Sequence, residues 1–516
     1  MPHSLRMTPM RWSGWGDPAH AVRLPPQLRA LLENALGVRP PERPTVTLDE
    51  IRLPAPGFDP AGLGAIVGAG YVRTGAEDRI RHTRGKSTVD LLRIRAGAVG
   101  DAPDVVVVPG SHDEVLAILD WCTRQRIAVV PFGGGTSVVG GLAPDRTGFA
   151  GVVALDLARL DTFELDPVSR TATLGAGLRA PAAEELLAAQ GFTLGHFPQS
   201  FEYATIGGFA ATRSSGQYSV RYGRFDELVV ALRVATARGT VELGRAPRSG
   251  AGPDLRQLFL GSEGTLGVIT EVTVRIHRAP TGYAYSGWRF GSFPDGVTAL
   301  RRLAQDGPVP AMLRLSDEYE TALTDPTTDG GCLAVVAYED APVPTVEAIL
   351  RDAGGTPLGE RPGQDWARGR FQGPYLRDAL LDAGAFAETV ETATFWSGLP
   401  ALYEAVRSSL LESVPGFVLG HVSHVYPTGA SLYFTIVCAQ GPDPVSQWQQ
   451  AKQAVNAAIL GAGGTISHHH GVGTDHAAGL AEEIGPLMLD TLRNVKRQLD
   501  PAGILNPGIL LARYSG

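Results

Sequence analysis

The alternation of apolar and polar residues is clearest between residues 104 and 132, where it predicts a strand, a helix and a second strand. The apolar runs "VVVV" and "IAVVPF" indicate two buried strands. Between them, "SHDEVLAILDWCTRQR" carries apolar residues at helical spacing. Ser111 is its predicted N-cap, and Glu114, three residues on, is the predicted capping-box partner. Together the three elements predict a parallel βαβ unit.

The same pattern divides the whole chain into four regions. Residues 1–98 are rich in Pro and Arg and hold only short helical pieces. Residues 99–280 contain the βαβ unit, followed by further short strands. Residues 281–465 alternate strands and helices with polar turns, which predicts an antiparallel sheet. Residues 466–516 hold a loop and an amphipathic helix that ends at "DPAG". The predicted fold class is therefore α+β, with a two-part α/β domain and an antiparallel-sheet cap domain.

Composition excludes several classes of protein. A net charge of −8 argues against a general nucleic-acid binder, which would show a basic domain or stripe. The three cysteines are far apart in the sequence, so no disulfide framework is expected and a reducing, cytoplasmic location is favoured. Since no run of about 18 apolar residues occurs, no membrane-spanning helix is expected, and any membrane association would be peripheral.

Three loops rich in small residues suggest a binding site for a long ligand. The first, "PFGGGTS", follows a predicted strand, and its glycine amides can curl around an anion such as a pyrophosphate. It is neither a Walker loop nor a Rossmann fingerprint, and a turn without a ligand is the alternative. The other two lie in "FPQSFEYATIGGFAATRSSG" and "LFLGSEGTLGVITEVTV". The segment "GAGLRA" matches G-x-G-x-x-A, but no acidic residue ends a second strand about 20 residues on, so we interpret it as a strand–helix turn.

The stretch "ISHHHGVGTDH" places His468, His469 and His470 side by side and raises the question of a metal site. In a strand, His468 and His470 would share one face while His469 would point to the other. Structural zinc sites use spaced ligands and usually cysteine as well, and no cysteine lies nearby in the sequence. No metal is therefore predicted. The alternatives are loop histidines bound to the backbone, or histidines that bind phosphate and relay protons.

Four of these motifs together resemble the FAD-binding flavoproteins of the PCMH or vanillyl-alcohol-oxidase type. They are "PFGGGTS", "QSFEYATIGGFAATRSS", "GSEGTLGVITEVTV" and "LDPAGILNPG", and they occur in that family's order. Within the family, the alkyldihydroxyacetonephosphate synthases resemble this chain in "MRWSGWGD", "RHTRGKSTVDLLRIRAG", "SHVYPTGASLYFTI" and "HHHGVG". The lactate and glycolate enzymes of the family usually have Glu-His-Gly or a similar triplet where this chain has three histidines.

The resemblance implies FAD as the cofactor, with residues 99–280 as the FAD-binding domain and residues 281–465 as a cap over the isoalloxazine ring. Some relatives attach the flavin covalently through a histidine in the first loop. "PFGGGTS" contains none, so non-covalent FAD is expected. The residues expected to contact FAD are Pro131, Phe132, Gly133, Gly134, Gly135, Thr136, Ser137, Gln199, Ser200, Phe201, Glu202, Tyr203, Ala204, Thr205, Thr212, Arg213, Ser214, Ser215, Glu263, Gly264, Thr265, Leu266, Gly267, Val268 and Ile269.

The resemblance also implies a reaction without net redox change. A fatty alcohol replaces the acyl chain of acyl-dihydroxyacetone phosphate, and FAD acts as an electrophilic holder. Tyr433 in "GASLYFTI" matches the family's catalytic tyrosine, and His468, His469 and His470 match its histidine tripeptide. From the residues alone, an aromatic side chain packed within a strand is the commoner role for such a tyrosine.

Two arginines complete the expected site. Arg314 in "AMLRLSDE" matches an arginine important in the family, and its alternative is a solvated charge at a strand end. Arg407 matches, at a different spacing after "ETATFW", the arginine that binds the substrate phosphate. The alternative function is an FAD-dependent dehydrogenase of a 2-hydroxy acid such as D-lactate or glycolate. Relatives are often dimers, which makes a homodimer one expectation.

Overall fold

The structure, a computed structural model of the chain, describes residues 8–41, 44–324 and 330–512. Its strands are β1 Val72–Arg73, β2 Val105–Val107, β3 Ala128–Phe132, β4 Val152–Asp156, β5 Phe163–Asp166, β6 Thr171–Gly175, β7 Phe192–Thr193, β8 Val229–Thr236, β9 Gly239–Leu243, β10 Val268–Arg275, β11 His277–Arg278, β12 Tyr283–Phe290, β13 Met312–Ser316, β14 Cys332–Glu339, β15 Thr356–Gly359, β16 Ala385–Phe395, β17 Gly416–Val425 and β18 Gly429–Ala439.

Its α-helices are α1 Pro26–Leu36, α2 Ala61–Val67, α3 Ala76–Arg81, α4 Thr88–Arg95, α5 His112–Gln125, α6 Ala180–Ala188, α7 Ile206–Thr212, α8 Ser219–Tyr222, α9 Phe225–Leu228, α10 Arg256–Phe259, α11 Phe293–Asp306, α12 Glu318–Thr324, α13 Pro344–Asp352, α14 Arg361–Gly369, α15 Gly373–Asp382, α16 Leu399–Ser413, α17 Pro444–Gly461 and α18 Ala477–Leu499.

The first part of the molecule, here called the glycine-loop lobe, is built on strands β1 to β11. A four-stranded sheet has the order β1-β2-β4-β3, and a five-stranded antiparallel sheet has the order β5-β6-β10-β8-β9. Helix α5 begins after Ser111, whose hydroxyl accepts a hydrogen bond from Glu114 N at 3.1 Å. The Glu114 carboxylate accepts from Gly110 N at 2.6 Å. One apolar core, which includes residues of α5, joins the two sheets.

The predicted βαβ unit is present, but its two strands are not neighbours. β2 and β3 both pair in parallel with β4, which lies between them. The local pattern could not show this, because β4 comes from the chain beyond the first glycine loop. β1 also joins this sheet, antiparallel to β2. The first sheet therefore starts at Val72, within the region that the sequence pattern set apart as an N-terminal segment.

The second part, the cap lobe, is a seven-stranded antiparallel sheet with the order β15-β12-β14-β13-β17-β18-β16. Strand β18 shows how its faces differ. Leu432 and Phe434 belong to a core that includes residues of α11, α16 and α17, whereas Tyr433 and Thr435 point to the opposite face. Helices α11, α16 and α17 cover the first face, whereas part of the opposite face lines a cavity.

The C-terminal segment returns from the cap lobe to the glycine-loop lobe. Helix α18 bends at Gly485, which has a φ of 75° and is followed by Pro486. Beyond the bend, Leu492 and Leu499 pack against the core of the glycine-loop lobe. The loop that carries the three histidines lies between α17 and α18 in the chain, so both lobes hold it. None of the helices in the described ranges is both long and apolar enough to cross a membrane.

Candidate active site

A cavity of about 1250 Å³ lies between the two lobes. Its floor consists of residues from the loops at 131–142, 198–217 and 263–269 in the glycine-loop lobe. Its roof consists of residues from β13, β16, β17 and β18 of the cap sheet. Helices α14 and α15 form a side wall, and the histidine loop closes one end. A volume above the roughly 300–1,000 Å³ of common ligand pockets leaves room for a cofactor and a substrate together.

The first glycine loop lies directly against the second loop, and this contact excludes side chains. A Cβ on Gly134 would lie 2.2 Å from the carbonyl oxygen of Tyr203. Gly135 has a φ of 68°, a conformation that other residues rarely adopt. The amide groups from Gly134 to Ser137 have no hydrogen-bond acceptor among the described residues. Free amides in a tightly packed glycine loop are suited to binding an anion.

The third loop connects the floor to the histidine loop. The Glu263 carboxylate accepts hydrogen bonds from Val472 N and Gly473 N at 2.9 to 3.1 Å. Burial raises the pKa of Glu263 to about 7, although these two amides act in the opposite direction. Gly264, with a φ of 75°, would place a Cβ 2.8 Å from Pro131. Glu263 therefore fixes the Gly-Val-Gly segment that follows the histidines.

Most residues expected to contact the cofactor lie on the cavity wall. They are Pro131, Phe132, Gly133, Gly134, Gly135, Thr136, Ser137, Gln199, Ser200, Ala204, Thr205, Thr212, Ser214, Ser215, Glu263, Gly264, Gly267 and Ile269. The expected residues that the structure does not place on the wall are Phe201, Glu202, Tyr203, Arg213, Thr265, Leu266 and Val268. Arg213 instead donates to the carbonyl of Leu260 at 3.1 Å, because only some side chains of a tightly turning loop can face one side.

Four polar side chains of the roof lie in one row across four neighbouring strands. Ser316 of β13 pairs with His421 of β17, His421 pairs with Tyr433 of β18, and Tyr433 pairs with Glu391 of β16. Directly paired residues of a sheet point to the same face. The register therefore gathers side chains that are distant in the sequence.

Tyr433 lies in the middle of this row, between two imidazole rings. It stacks on His421 with ring centroids 5.0 Å apart and 22° between the planes, and on His469 at 6.2 Å and 24°. His470 approaches edge-on at 5.7 Å. Burial raises the pKa of Tyr433 to about 12, so its hydroxyl keeps its proton at neutral pH. A neutral phenol between imidazoles is suited to proton transfer.

An ion pair backs the imidazole of His421. Its Nδ1 lies 2.8 Å from Glu320 Oε2, and Glu320 forms a salt bridge with Arg314. Burial alone would raise the pKa of Glu320, but Arg314 and His421 outweigh it and lower this pKa to about 2. Arg314 Nη2 also lies 3.0 Å from Nδ1 of His421, so both members of the ion pair contact this nitrogen and hold the ring in place. Arg314, expected to be catalytic, lines the cavity beside them.

A second buried carboxylate, that of Glu391, holds the histidine loop. It accepts hydrogen bonds from Ser467 Oγ at 2.7 Å, His468 N at 2.8 Å, His469 N at 3.2 Å and His470 N at 3.0 Å. Burial alone would raise the pKa of Glu391, but the adjacent imidazoles, His469 first, hold it well below its usual range. The three consecutive histidines therefore turn around one carboxylate, and only His469 and His470 line the cavity.

His468 lies behind the wall, next to the imidazoles of His424 and His469, which line it. Ligand atoms of His424, His468 and His469 lie within 4.8 Å of one another, a spacing that would suit a metal ion. Both ring nitrogens of His468 have partners, since Nε2 lies 2.7 Å from Tyr426 Oη and Nδ1 lies 3.0 Å from His469 Nδ1. His424 Nδ1 lies 2.8 Å from Ser219 Oγ. Hydrogen bonds account for these atoms, and the expectation that no metal binds stays a prediction.

Arg407, expected to bind the substrate phosphate, does not line the cavity. Its guanidinium lies 3.7 Å from the Tyr319 ring centroid and 3.8 Å from Asp317, and it donates to Val418 O at 2.7 Å. A different arginine, Arg377 of α15, lies on the cavity wall. Its Nε is buried without an acceptor among the described residues. Arg407 belongs to α16, which packs on the other side of the cap sheet from the cavity, and its assignment to the substrate phosphate stays a prediction.

Sequence reasoning also missed other polar residues of the wall. They include Glu320, Arg377, Glu388, His421 and His424. Two of them had a detectable signal, because "GHVSHV" places histidines within an otherwise apolar strand pattern. The carboxylates had none, since nothing local shows which charged residues face inward.

Two protein-family profiles match the chain. The FAD binding domain matches residues 103–244, and the FAD linked oxidases, C-terminal domain, matches residues 279–510. The alkyldihydroxyacetonephosphate synthases of Dictyostelium discoideum and Trypanosoma brucei brucei are each 31% identical to it over 97% of this chain, and over 93% and 92% of their own lengths. The mitochondrial D-lactate dehydrogenase (cytochrome) of Arabidopsis thaliana is 30% identical over 79% of this chain and 73% of its own.

A solved structure of alkyldihydroxyacetonephosphate synthase matches with a TM-score of 0.82 and 30% identity, over 97% of this chain and 98% of that one. The chain belongs to the alkyldihydroxyacetonephosphate synthase family. p-Cresol methylhydroxylase with substrate bound, at a TM-score of 0.67 and 15% identity over 88% of this chain and 96% of that one, shares the fold. The α+β fold class and the FAD cofactor predicted for this synthase-family chain are confirmed.

The residues of this synthase-family member fit FAD. The free amides from Gly134 to Ser137 offer donors to a pyrophosphate. Gln217 Oε1 and Asn506 Oδ1 are buried without partners among the described residues, and both side chains belong to the cavity wall. Which residues contact FAD, and whether the flavin is non-covalent, stay predictions.

Proposed function

We propose that this protein is an FAD-dependent alkylglycerone-phosphate synthase, which exchanges the acyl chain of acyl-dihydroxyacetone phosphate for a long-chain alcohol. The observation that carries the proposal is Tyr433, stacked between His421 and His469 opposite the glycine loops, with a buried carboxylate behind each imidazole. When bound, FAD supplies the electrophilic centre that retains the substrate carbon between departure of the carboxylate and arrival of the alcohol. The protein places the substrate and moves protons.

The side chains in the roof of the cavity carry out proton transfer. The exchange needs a base to take a proton from C1 of the substrate and an acid to protonate a leaving group. Burial lowers the pKa of His421, and it lowers the pKa of His470 to about 3, so both imidazoles are neutral acceptors at pH 7. Tyr433, with its raised pKa, holds a proton that it can donate. Acid and base groups therefore lie within one stack of rings.

Substrate placement falls to the side wall. We assign the substrate phosphate to Arg377, because its unpartnered Nε is the kind of donor that a phosphate oxygen satisfies. An apolar part of the wall suits an alkyl chain, and its residues are Met312, Leu333, Val335, Leu358 and Trp366. This apolar wall favours the synthase over a 2-hydroxy-acid dehydrogenase, since a substrate such as D-lactate has no long chain to bury.

Long-chain substrates partition into membranes, so we propose that the protein acts in the cytoplasm by peripheral association with a membrane surface. Sedimentation with phospholipid vesicles tests this, and protein that stays in the supernatant at low salt would contradict it. The homodimer expected from relatives is tested by analytical ultracentrifugation of the holoenzyme.

Two assays on the purified holoenzyme test the proposed reaction. In air, with acyl-dihydroxyacetone phosphate and labelled hexadecanol, we expect alkyl product and free fatty acid in equal amounts, without hydrogen peroxide. In a second, anaerobic assay, D-lactate should leave the flavin absorbance unchanged. Bleaching of the flavin by D-lactate, without formation of an alkyl product, would establish the dehydrogenase alternative instead.

A further inference from the structure

We infer that Glu391 is a positioning residue that sets the tautomer of His469, so that His469 Nε2 is the bare nitrogen available to a substrate proton. The catalytic consequence rests on the proposed function, whereas the tautomer itself rests on geometry alone. His469 is the middle one of the three consecutive histidines.

The carboxylate of Glu391 is surrounded by hydrogen-bond donors. Glu391 is fully buried, and its Oε1 accepts hydrogen bonds from Ser467 Oγ, His469 N and His470 N, while its Oε2 accepts from His468 N. Four donors from one loop fix the plane of the carboxylate. The remaining neighbour of Oε2 is Nδ1 of His469, at 3.3 Å. A carboxylate with this many donors is ionised and can only accept.

The position of this carboxylate bears on the ring protons of His469 and His468. Because the ionised Glu391 lies 3.3 Å from Nδ1 of His469, a hydrogen on this nitrogen is favoured over a lone pair that would face the carboxylate, and a neutral imidazole protonated there has a bare Nε2. The proton of the neighbouring ring follows from this assignment. With His469 protonated at Nδ1, the Nδ1 of His468 3.0 Å away accepts, and the proton of His468 lies on Nε2, 2.7 Å from Tyr426 Oη. One carboxylate thus determines a chain of two tautomers.

His469 differs from the two histidines beside it in its access to the cavity and its distance from Glu391. His468 does not belong to the cavity wall, and His470 Nδ1 is 4.0 Å from Glu391 Oε1, beyond hydrogen-bond distance. His469 lines the cavity and stacks on Tyr433. It is therefore the histidine of the triplet that combines access to the cavity with a carboxylate behind its ring.

The chain offers a matched control in Glu483. Its carboxylate accepts hydrogen bonds from Ile466 N at 2.8 Å and Thr465 Oγ1 at 2.9 Å, at the start of the same loop. It contacts no imidazole among the described residues. Glu391→Gln and Glu483→Gln each remove one charge that holds this loop, but only the first reaches a histidine ring.

The experiment compares the wild-type holoenzyme with both variants. In wild-type protein labelled with ¹⁵N-histidine, the signal assigned through His469→Ala should show the tautomer protonated at Nδ1, and Glu391→Gln should lose it. In Glu391→Gln, kcat should fall about 100-fold or more, within the range of general acid–base catalysis, while KM changes little. In Glu391→Asp, which keeps the charge, part of kcat should return. Glu483→Gln should keep both the tautomer and kcat.

The outcomes distinguish the inference from the proposed function. A wild-type His469 protonated at Nε2 would overturn the inference whatever the activity, and this measurement needs no variant that might misfold. A Glu391→Gln enzyme with altered tautomer and unchanged kcat would overturn the catalytic role. If the wild type carries the Nδ1 tautomer but shows no alkyl exchange, the proposed function fails and the positioning role of Glu391 stands.

Discussion

The floor and the roof of the cavity are specified in opposite ways. The floor depends on missing side chains, because Gly134 lies against the backbone of a neighbouring loop and leaves no space for a Cβ. The roof depends on particular charged and aromatic groups, such as Tyr433 and Glu391, that meet only through strand register. We therefore expect the floor to be sensitive to any added side-chain volume. We expect the roof to be more sensitive to the loss of a functional group than to a change in side-chain shape. Substitutions on each side should therefore fail in different ways.

The largest effect is expected on the roof, from Tyr433→Phe. Removing the hydroxyl deletes a proton donor without changing the ring stack, so kcat should fall by about 10²–10⁴-fold. FAD content, measured from the visible absorbance of the purified protein, should stay at the wild-type level. Tyr71→Phe, at an exposed tyrosine, is the control and should leave kcat unchanged. A Tyr433→Phe enzyme with normal kcat would remove the roof from the mechanism.

The second-largest effect is expected from Glu263→Gln, a substitution at the contact between the floor of the cavity and the histidine loop. The pKa of Glu263 is raised to about 7 by burial, so its contribution to stability is fully present below pH 4.5 and is lost as the pH rises through about 7. Glu263→Gln cannot ionise and should escape this loss, which amounts to about 3 kcal/mol. Urea unfolding at pH 5 and pH 8 measures it. The free energy of unfolding of the variant, relative to wild type, should increase with pH.

The control for this comparison is Glu33→Gln on the exposed surface of α1, which should follow the wild-type pH dependence. If the free energy of unfolding of Glu263→Gln differs from that of the wild type by the same amount at pH 5 and at pH 8, Glu263 does not titrate between these two pH values. The Gly-Val-Gly segment would then be held by a carboxylate that is ionised throughout.

The third effect tests the floor directly, through Gly134→Ala. The added Cβ would meet the Tyr203 carbonyl at 2.2 Å, and backbone on both sides cannot move aside as a side chain would. Overpacking of this kind costs about 1–3 kcal/mol, so FAD affinity should fall by about 10- to 100-fold. Titration of the apoprotein with FAD, followed by flavin fluorescence, measures it.

Gly461→Ala is the matched control, because a Cβ there would meet nothing within 4 Å. It should bind FAD as the wild type does. Equal affinity in the Gly134→Ala protein would mean that the two loops can separate, and the close contact would then not explain why the first loop consists of glycines.

The contrast also explains what the sequence could predict. "PFGGGTS" is contiguous, so its glycines and their free amides could be inferred before any fold was known. The roles of Glu391 and Glu320 could not, because each depends on which strand lies beside which and on the exact register between them. The order of the first sheet could not be predicted for the same reason, since the position of β4 between β2 and β3 depends on tertiary pairing. Local patterns specify elements and loops, whereas pairing between distant segments specifies the roof.

The smallest expected effect concerns Arg407, whose assignment to the substrate phosphate stays a prediction. It lies on the helix-covered side of the cap sheet, near Asp317, whose pKa burial raises to about 6. Arg407→Met should therefore lower the melting temperature slightly and leave KM for acyl-dihydroxyacetone phosphate unchanged. Arg377→Met should raise this KM by about 10- to 100-fold, since a hydrogen bond to a charged group contributes about 1.5–3 kcal/mol. If Arg407→Met raises this KM and Arg377→Met leaves it unchanged, the substrate phosphate binds at Arg407. Because Arg407 lies outside the cavity wall, the cap lobe would then have to rearrange when the substrate binds.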